Sequence, residues 1–509
     1  MMAGFESGIH HVTLLTRRVQ ANVDFYVGFL GLSLVKRTGG YEDAEQLHLF
    51  YGDRNASPGT LVTFLVWEDG APGRVGNGQV SEIAFAVPQT AIGMWLTRAL
   101  AQGLAVEGPS REFGEPVLRL KDPDGIIVKL VGVENVPDGE AGISRIRAVT
   151  LLTEVPEETA AFVSRFGYKP GPVNGAIRRM VSDTDVVDIR DASGYVPGIP
   201  GTGTADHVAF RAADDAAVAA AEAAFSKLNS SPTNVHDRKY FTSLYVREPG
   251  GTLIEYATDG PGFAVDEAPD ALGQVLFVPE QDAARARDLE IMLPQFSLPG
   301  EPRMPRRDLP FVHRFFMPEK VGDDTLVLLH GTGGSEADLM PFAHRIAPEA
   351  GLLGVRGRAV EEGVARWFRR FSAMEFDQAD IRSEADAFAA FLEGAISGYR
   401  LDAERLTLIG YSNGANFIAA VMALYPGLIR RAILLRPIPV LEPLPAVDLS
   451  GSRVLSVTAR QDLYAVHAPR LETWFSDCGA ALTTERIDAG HPLSEADEAL
   501  TRAWLSGQN

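Results

Sequence analysis

The chain has 509 residues, 46% of them apolar and 22% charged, and its 47 basic against 67 acidic side chains give a formal charge of −20. That length exceeds what a single hydrophobic core serves, and so acidic a field repels nucleic acid and anionic membrane surfaces, so neither is an expected partner. One cysteine, Cys478, excludes an internal disulfide, residues 1–30 carry no leader pattern and no apolar run reaches membrane length, so a soluble cytoplasmic protein is expected.

Residues 8–16 alternate as a strand should, and Val23, Tyr26, Val27 and Leu30 predict a helix over 20–30 that Gly31 ends. Strand-like runs follow at 32–38, 46–51 and 60–67, giving a β-α-β-β-β unit. The unit recurs. A strand at 79–87 precedes a helix at 89–102 and a hairpin around Asp122-Pro123-Asp124-Gly125; strand 145–153 precedes a helix at 157–166; strand 205–212 precedes a helix at 214–228 and a hairpin around Glu248-Pro249-Gly250-Gly251. Four such units cover residues 5–260, an α+β half built as two paired modules, 1–140 and 141–296. A helix within 280–292 is expected to pack back on this half as its tail.

The repeat is chemically asymmetric. Ile9-His10-His11-Val12-Thr13-Leu14-Leu15-Thr16 returns as Ile146-Arg147-Ala148-Val149-Thr150-Leu151-Leu152-Thr153, 137 residues later. With the pairs overlaid, His11 falls on Ala148, His207 on Glu82 and Glu255 on Lys129. Two imidazoles and a carboxylate are the ligands of a facial triad, which leaves coordination positions open for substrate and dioxygen. The sister set cannot form one, because alanine offers no ligand and lysine repels a cation. A lone strand histidine is ordinarily structural; the metal reading rests on three ligand types at matched positions, all missing from the sister set. A three-residue hairpin loop with Gly251 as its left-handed residue places Tyr245 opposite Glu255, as an acid or hydrogen-bond donor to substrate. A two-residue turn would instead oppose Leu244 to Glu255. His10 is expected on the opposite strand face, as a structural or supporting residue. His48 and His236 have no comparable support, and Arg238 is either a solvated charge or a cation beside an anionic substrate.

Gly-Ile-His10-His11-Val-Thr, Gln20-Ala-Asn-Val-Asp-Phe-Tyr and Leu30-Gly-Leu-Ser-Leu-Val-Lys-Arg together resemble the start of ring-cleaving extradiol dioxygenases of the vicinal-oxygen-chelate (glyoxalase-type) superfamily, in the branch acting on hydroquinones. The likeness runs over the first half. It implies Fe(II), with Mn(II) as the alternative, at His11, His207 and Glu255, and a substrate side lined by His10, Thr13, Arg238 and Tyr245. It also implies a histidine just before the second ligand. This chain has Asp206 there, which bears on the ligand's support and on substrate preference.

Residues 261–318 are rich in Pro, Gly and acidic residues, and Leu298 to Leu309 reads as a stiff connector, so 297–318 is taken as the linker. From 319 to 509 buried strands alternate with helices, the pattern of a doubly wound, mainly parallel α/β sheet. Strands are expected at 324–329, 351–355, 405–410, 431–436, 452–458 and 482–488, and helices at 336–348, 379–397, 414–425, 466–478 and 493–505. Gly410-Tyr411-Ser412-Asn413-Gly414 lies between a strand and a helix, which makes Ser412 a nucleophile held on a strained turn. In the order Ser, Asp, His, the acid is Asp462 and the base His491; Asp488 is the second choice for the acid, and His467 reads as an early helix residue. His330-Gly331-Thr332-Gly333-Gly334 lacks the Gly-Lys-Ser/Thr of a nucleotide loop and is read as half of an oxyanion hole, with backbone N–H groups of Thr332 and Asn413. This half resembles the carboxylesterase and phospholipase-like branch of the α/β-hydrolases.

The expectation is a bifunctional enzyme of aromatic degradation or quinone detoxification. Its partners are a small aromatic diol, dioxygen and an ester or acyl substrate; self-association into a homo-oligomer stays open. A glyoxalase-type isomerase or thiol transferase, or a metal-free binding module, fused to a carboxylesterase, is the alternative.

Overall fold

In the computed structural model the described residues are 7–40, 43–134, 142–227, 234–303, 309–318, 320 and 322–507. They form two compact units, one from Met1–Ala284 with Gln295–Pro302 and one from Arg285–Pro294 with Arg303–Asn509.

The first unit holds two large mixed sheets. The nine-stranded sheet runs Val235–Asp237, Phe241–Arg247, Leu253–Pro261, Ala205–Ala212, Ile9–Thr16, Leu61–Val66, Leu47–Gly52, Ser33–Gly39, Leu276–Phe277. The eight-stranded sheet runs Lys169–Asn174, Ile177–Val181, Val186–Asp191, Arg145–Thr153, Gln79–Pro88, Ile127–Val133, Glu115–Lys121, Val106–Glu112. The first β-α-β-β-β unit of the chain therefore pairs with the last and the second with the third, so the paired modules 1–140 and 141–296 are not the sheets. The first β-α-β-β-β stretch joins the fourth through the antiparallel ladder of Ile9–Thr16 with Ala205–Ala212, and the second joins the third through Gln79–Pro88 with Arg145–Thr153. This exchange brings His11 beside residues almost two hundred positions away.

The two sheets share one register. His11 and Glu255 both pair with Ala209, and Thr13 pairs with His207; Ala148 and Lys129 both pair with Ala84, and Thr150 pairs with Glu82. The helix expected over 20–30 is α-helical at Val19–Val23 and π-helical at Asp24–Phe29, and Gly31 closes it at φ +77°.

The second unit is a seven-stranded sheet in the order His313–Phe316, Gly351–Val355, Thr325–Leu329, Leu406–Tyr411, Arg431–Leu435, Arg453–Ala459, Ala481–Ile487, parallel except for its first strand. Gln378–Tyr399 buries Ile381, Ala385, Phe388, Leu392, Ala395 and Tyr399 at helical spacing, and Asp377 caps its start through the N–H groups of Ala379 and Asp380. Apolar clusters cover both sheet faces. Two expectations at the joint are corrected. The helix Ala286–Met292 belongs to the second unit, where Ile291 packs with Leu326, Leu328 and Met340, because an apolar stripe does not encode which sheet it meets. His313–Phe316 lies inside the expected linker yet is the antiparallel edge of this sheet; residues 304–308 of that linker lie outside the described residues. Among the described residues no helix is long and apolar enough to cross a membrane.

Candidate active sites

In the first unit, Nε2 of His11, Nε2 of His207 and Oε2 of Glu255 converge from three adjoining strands. Each imidazole nitrogen lies 2.9 Å from the carboxylate oxygen, and the two nitrogens are 3.3 Å apart. All three side chains are buried. Donor atoms held about 2.1 Å from one ion at right angles lie about 3 Å from each other, so this spacing fits three cis positions around a single cation. Glu255 is fully buried, and neither carboxylate oxygen has a hydrogen-bond donor in good geometry. Burial works against its ionisation, yet the two imidazoles hold its pKa well below the usual carboxylate range. Imidazoles bound to a metal are neutral, so with an ion in place the buried carboxylate would be an excess negative charge that a divalent cation offsets.

Both imidazoles are fixed from behind. Asp206 Oδ2 lies 2.7 Å from His207 Nδ1; burial lowers the His207 pKa, but Asp206 first and then Glu255 outweigh it and raise it to about 9. His10 does not face away from His11 as strand alternation predicts. The ladder slips between Ile9 and His11, and this bulge brings His10 Nδ1 to 2.8 Å from His11 Nδ1. Burial, then the neighbouring His11, push the His10 pKa down to about 3. One proton is shared between these two Nδ1 atoms; with it on His11, neutral His10 accepts and the His11 Nε2 lone pair is directed at the cluster.

A cavity of about 560 Å³ opens in front of these groups, lined by His11, Thr13, His48, Asp206, His207, His236, Arg238, Phe241 and Tyr245 among others. Tyr245 stands opposite Glu255 in the ladder, and Gly251 takes φ +103° in the three-residue loop. Burial, then the nearby Glu255 charge, raise the Tyr245 pKa far above the usual phenol range, so it stays a donor. The Arg238 guanidinium lies 5.5 Å from the Tyr245 ring centre. Thr13 Oγ1 sits 2.9 Å from Thr63 Oγ1, which is 2.9 Å from His48 Nε2. His10 supports a ligand without lining the cavity; His48 and His236 line it, which sequence reading missed. His48 alternates onto the same strand face as Phe50, also a cavity residue, and that parity was the available signal.

The equivalent face of the sister sheet is closed by charge pairing. Lys129 Nζ lies 2.6 Å from both Glu82 and Glu112, and Arg119 pairs with the same two carboxylates at 2.6 and 3.1 Å.

In the second unit Ser412, His491 and Asp462 stand in one hydrogen-bonded line. Ser412 takes φ +52° at the end of Leu406–Tyr411, a strained conformation for a non-glycine residue. Gly410 and Gly414 make it feasible, because a Cβ on Gly410 would come within 2.5 Å of Ala415 N and one on Gly414 within 2.1 Å of Leu329 O. Ser412 Oγ is 3.0 Å from His491 Nε2, and His491 Nδ1 is 2.8 Å from Asp462 Oδ2. Asp488 instead accepts from the Gln461 amide, and His467 closes a short 3₁₀ turn. Asn413 opens the helix Asn413–Leu424, so its N–H has no intrahelical acceptor. Its side chain accepts the Trp367 N–H at 2.9 Å, and Thr332 Oγ1 accepts from Arg366 at 3.1 Å, which anchors both oxyanion candidates.

Residues 8–130 match the Glyoxalase/Bleomycin resistance protein/Dioxygenase superfamily. The chain is 34% identical over 296 residues, 55% of its own length and 93% of the relative's, to the "Putative ring-cleaving dioxygenase MhqO" of Bacillus subtilis. The chain belongs to this dioxygenase family. It is also 30% identical over 311 residues (56% of the chain, 95% of the relative) to the chlorohydroquinone/hydroquinone 1,2-dioxygenase of Sphingobium indicum. A further 184 residues, 36% of the chain and 92% of the relative, are 33% identical to the "Putative hydrolase MhqD" of Bacillus subtilis. A dioxygenase-family half and a hydrolase-family half are thus fused in one polypeptide.

Proposed function

We propose that the first half cleaves the ring of a hydroquinone-type aromatic diol using Fe(II) held by His11, His207 and Glu255, and that the second half hydrolyses a carboxylic ester or acyl compound through Ser412. The observation that carries the first reading is the cis spacing of three buried N and O atoms at the floor of a cavity. The hydroquinone preference follows the named activity of the Sphingobium relative.

Bound Fe(II) would supply the open coordination positions and the electron transfer that let a diol react with dioxygen. The protein's own groups bind, orient and hold protons. His10 and Asp206 fix the two imidazoles, and Tyr245 keeps its proton and donates it in a hydrogen bond to a substrate oxygen. Arg238 offers positive charge to an oxygen that has lost its proton, and Phe241 gives the ring an apolar wall. In the second half, Ser412 Oγ attacks the acyl carbon while His491 Nε2 takes its proton and passes it to the departing alcohol; water, giving its proton to the same nitrogen, then releases the acid and restores Ser412, and Asp462 holds His491 Nδ1–H throughout. The N–H groups of Thr332 and Asn413 receive the developing oxyanion.

The test uses the whole chain. Loaded anaerobically with Fe(II) and mixed with a panel of hydroquinones and catechols, it is expected to take up one O2 per ring opened, and His11→Ala to lose both metal and uptake. Ser412→Ala is expected to abolish p-nitrophenyl acetate hydrolysis and spare oxygen uptake. Turnover without oxygen would overturn the first reading in favour of an isomerase or transferase. Undiminished ester hydrolysis by Ser412→Ala would overturn the second.

A further inference from the structure

Behind the hydrolase triad lies an ion pair that takes no part in proton transfer. Arg436 and Asp497 have fully buried side chains, with Nη1 and Nη2 of the arginine 2.7 and 2.9 Å from the two carboxylate oxygens. Arg436 follows the strand Arg431–Leu435, whose final carbonyl accepts the N–H of Ser412 at 2.8 Å. It adopts φ +59°, a conformation that L side chains rarely take.

The rest of its fork is turned on the loop that carries the base. Arg436 Nε lies 3.2 Å from Gly490 O, and Nη2 lies 3.3 Å from Pro492 O. Between these carbonyls, His491 O accepts from the hydroxyl of Tyr411, the residue before the nucleophile, at 3.1 Å. Three consecutive carbonyls around the base are thus tied to side chains at the ends of the nucleophile strand and its neighbour. The loop needs such ties. It spans from Ala481–Ile487 to Glu495–Leu505, and the His491 side chain is 35% exposed. Asp497 in turn accepts from Ser494 N and Oγ at 2.9 and 2.8 Å, which fixes the far end of the loop to the start of the last helix.

Stability is a weak reason for this arrangement, since a buried ion pair can often be replaced by apolar residues without loss. A guanidinium can serve two carbonyls and a carboxylate at once because its donors are fixed in one plane; an ammonium is a single point and cannot. We propose that Arg436 is a positioning residue that sets the distance and angle between His491 Nε2 and Ser412 Oγ. The inference rests on the esterase reading of Ser412, His491 and Asp462.

The experiment uses full-length Arg436→Lys and the double variant R436M/D497L, with p-nitrophenyl acetate as the substrate and a fluorophosphonate probe for Ser412. The lysine variant keeps a charge for Asp497 and loses the fork; the double variant removes both buried charges so that neither is left unpaired. Both are expected to keep the wild-type circular dichroism spectrum, to fall about 100-fold in kcat with little change in KM, and to label more slowly in proportion. A purely structural role leaves the folded lysine variant close to wild type. If either folded variant keeps kcat within about threefold of wild type, Arg436 does not position the base. Ser412→Ala is assayed alongside, and retained hydrolysis there would instead remove the esterase reading itself.

Discussion

Replacing Asp206 by asparagine removes a charge from behind the proposed metal ligand His207 and leaves an amide of nearly the same shape. The carboxylate accepts from His207 Nδ1 at 2.7 Å, while His207 Nε2 faces Glu255 and His11. A charge-assisted bond of this kind is about twice as strong as a neutral one, and it makes the opposite nitrogen a better donor to a cation. Outer partners of ligating imidazoles change metal affinity by about 10- to 100-fold, or about 1.4 to 2.7 kcal/mol. The Asp206 side chain is 41% exposed, so water screens part of its charge and the lower figure applies, about tenfold. The assay is anaerobic titration of Fe(II), or of Mn(II) as a stable substitute, into the full chain against a fluorescent chelator. Asp206→Asn is expected to bind about tenfold more weakly, with one site retained because all three ligands remain. An unchanged dissociation constant would refute the claim that Asp206 acts through His207.

Two further outcomes follow from buried charge. Lys129→Met leaves Glu82 and Glu112 to share Arg119, and removing one partner of a buried pair costs about 3–5 kcal/mol; urea unfolding of the full chain, followed by tryptophan fluorescence, is expected to show the first unit melting earlier, and an unmoved midpoint would contradict the network's role. Burial, with the neighbouring Asp124 adding to it and two backbone N–H groups opposing, pushes the Asp122 carboxyl from 3.8 up to about 7. A carboxyl raised in the folded state favours folding while protonated, so its contribution is present below about pH 4 and is lost as pH rises to about 7; Asp122→Asn is expected to flatten that decline, and parallel pH profiles of wild type and variant would rule it out.

Local rules made much of the fold legible. Alternation located Ile9–Thr16 and Ala205–Ala212, and helical spacing located Gln378–Tyr399, because each pattern is written within a few residues. What depends on pairing was not. The slip at His10 is a property of two strands together, so the imidazole that steadies His11 was put on the wrong face. The partnership of the first β-α-β-β-β stretch with the fourth depends on which edges meet, and neither stretch encodes that alone. Arg436 could not have been found at all, since its partners lie more than fifty residues away and its positive φ leaves no sequence mark.

The convergence of His11, His207 and Glu255 was legible for a different reason: duplication supplied its own control. Both sheets keep the same register, so aligning the repeat compares the same points in space, and the substitutions His11 to Ala148, His207 to Glu82 and Glu255 to Lys129 are read at fixed geometry. The sister sheet shows what such a position needs. There Lys129 places an ammonium 2.6 Å from two carboxylates, and with Arg119 the set is electrically closed. On the other sheet Glu255 pairs with no lysine or arginine among the described residues, only with two imidazoles whose outer nitrogens are already engaged. One copy carries its counter-charge covalently and has filled its face; the other, on the proposed reading, leaves a carboxylate to be matched by an ion from solution, and beside it keeps a cavity wide enough for a substituted ring.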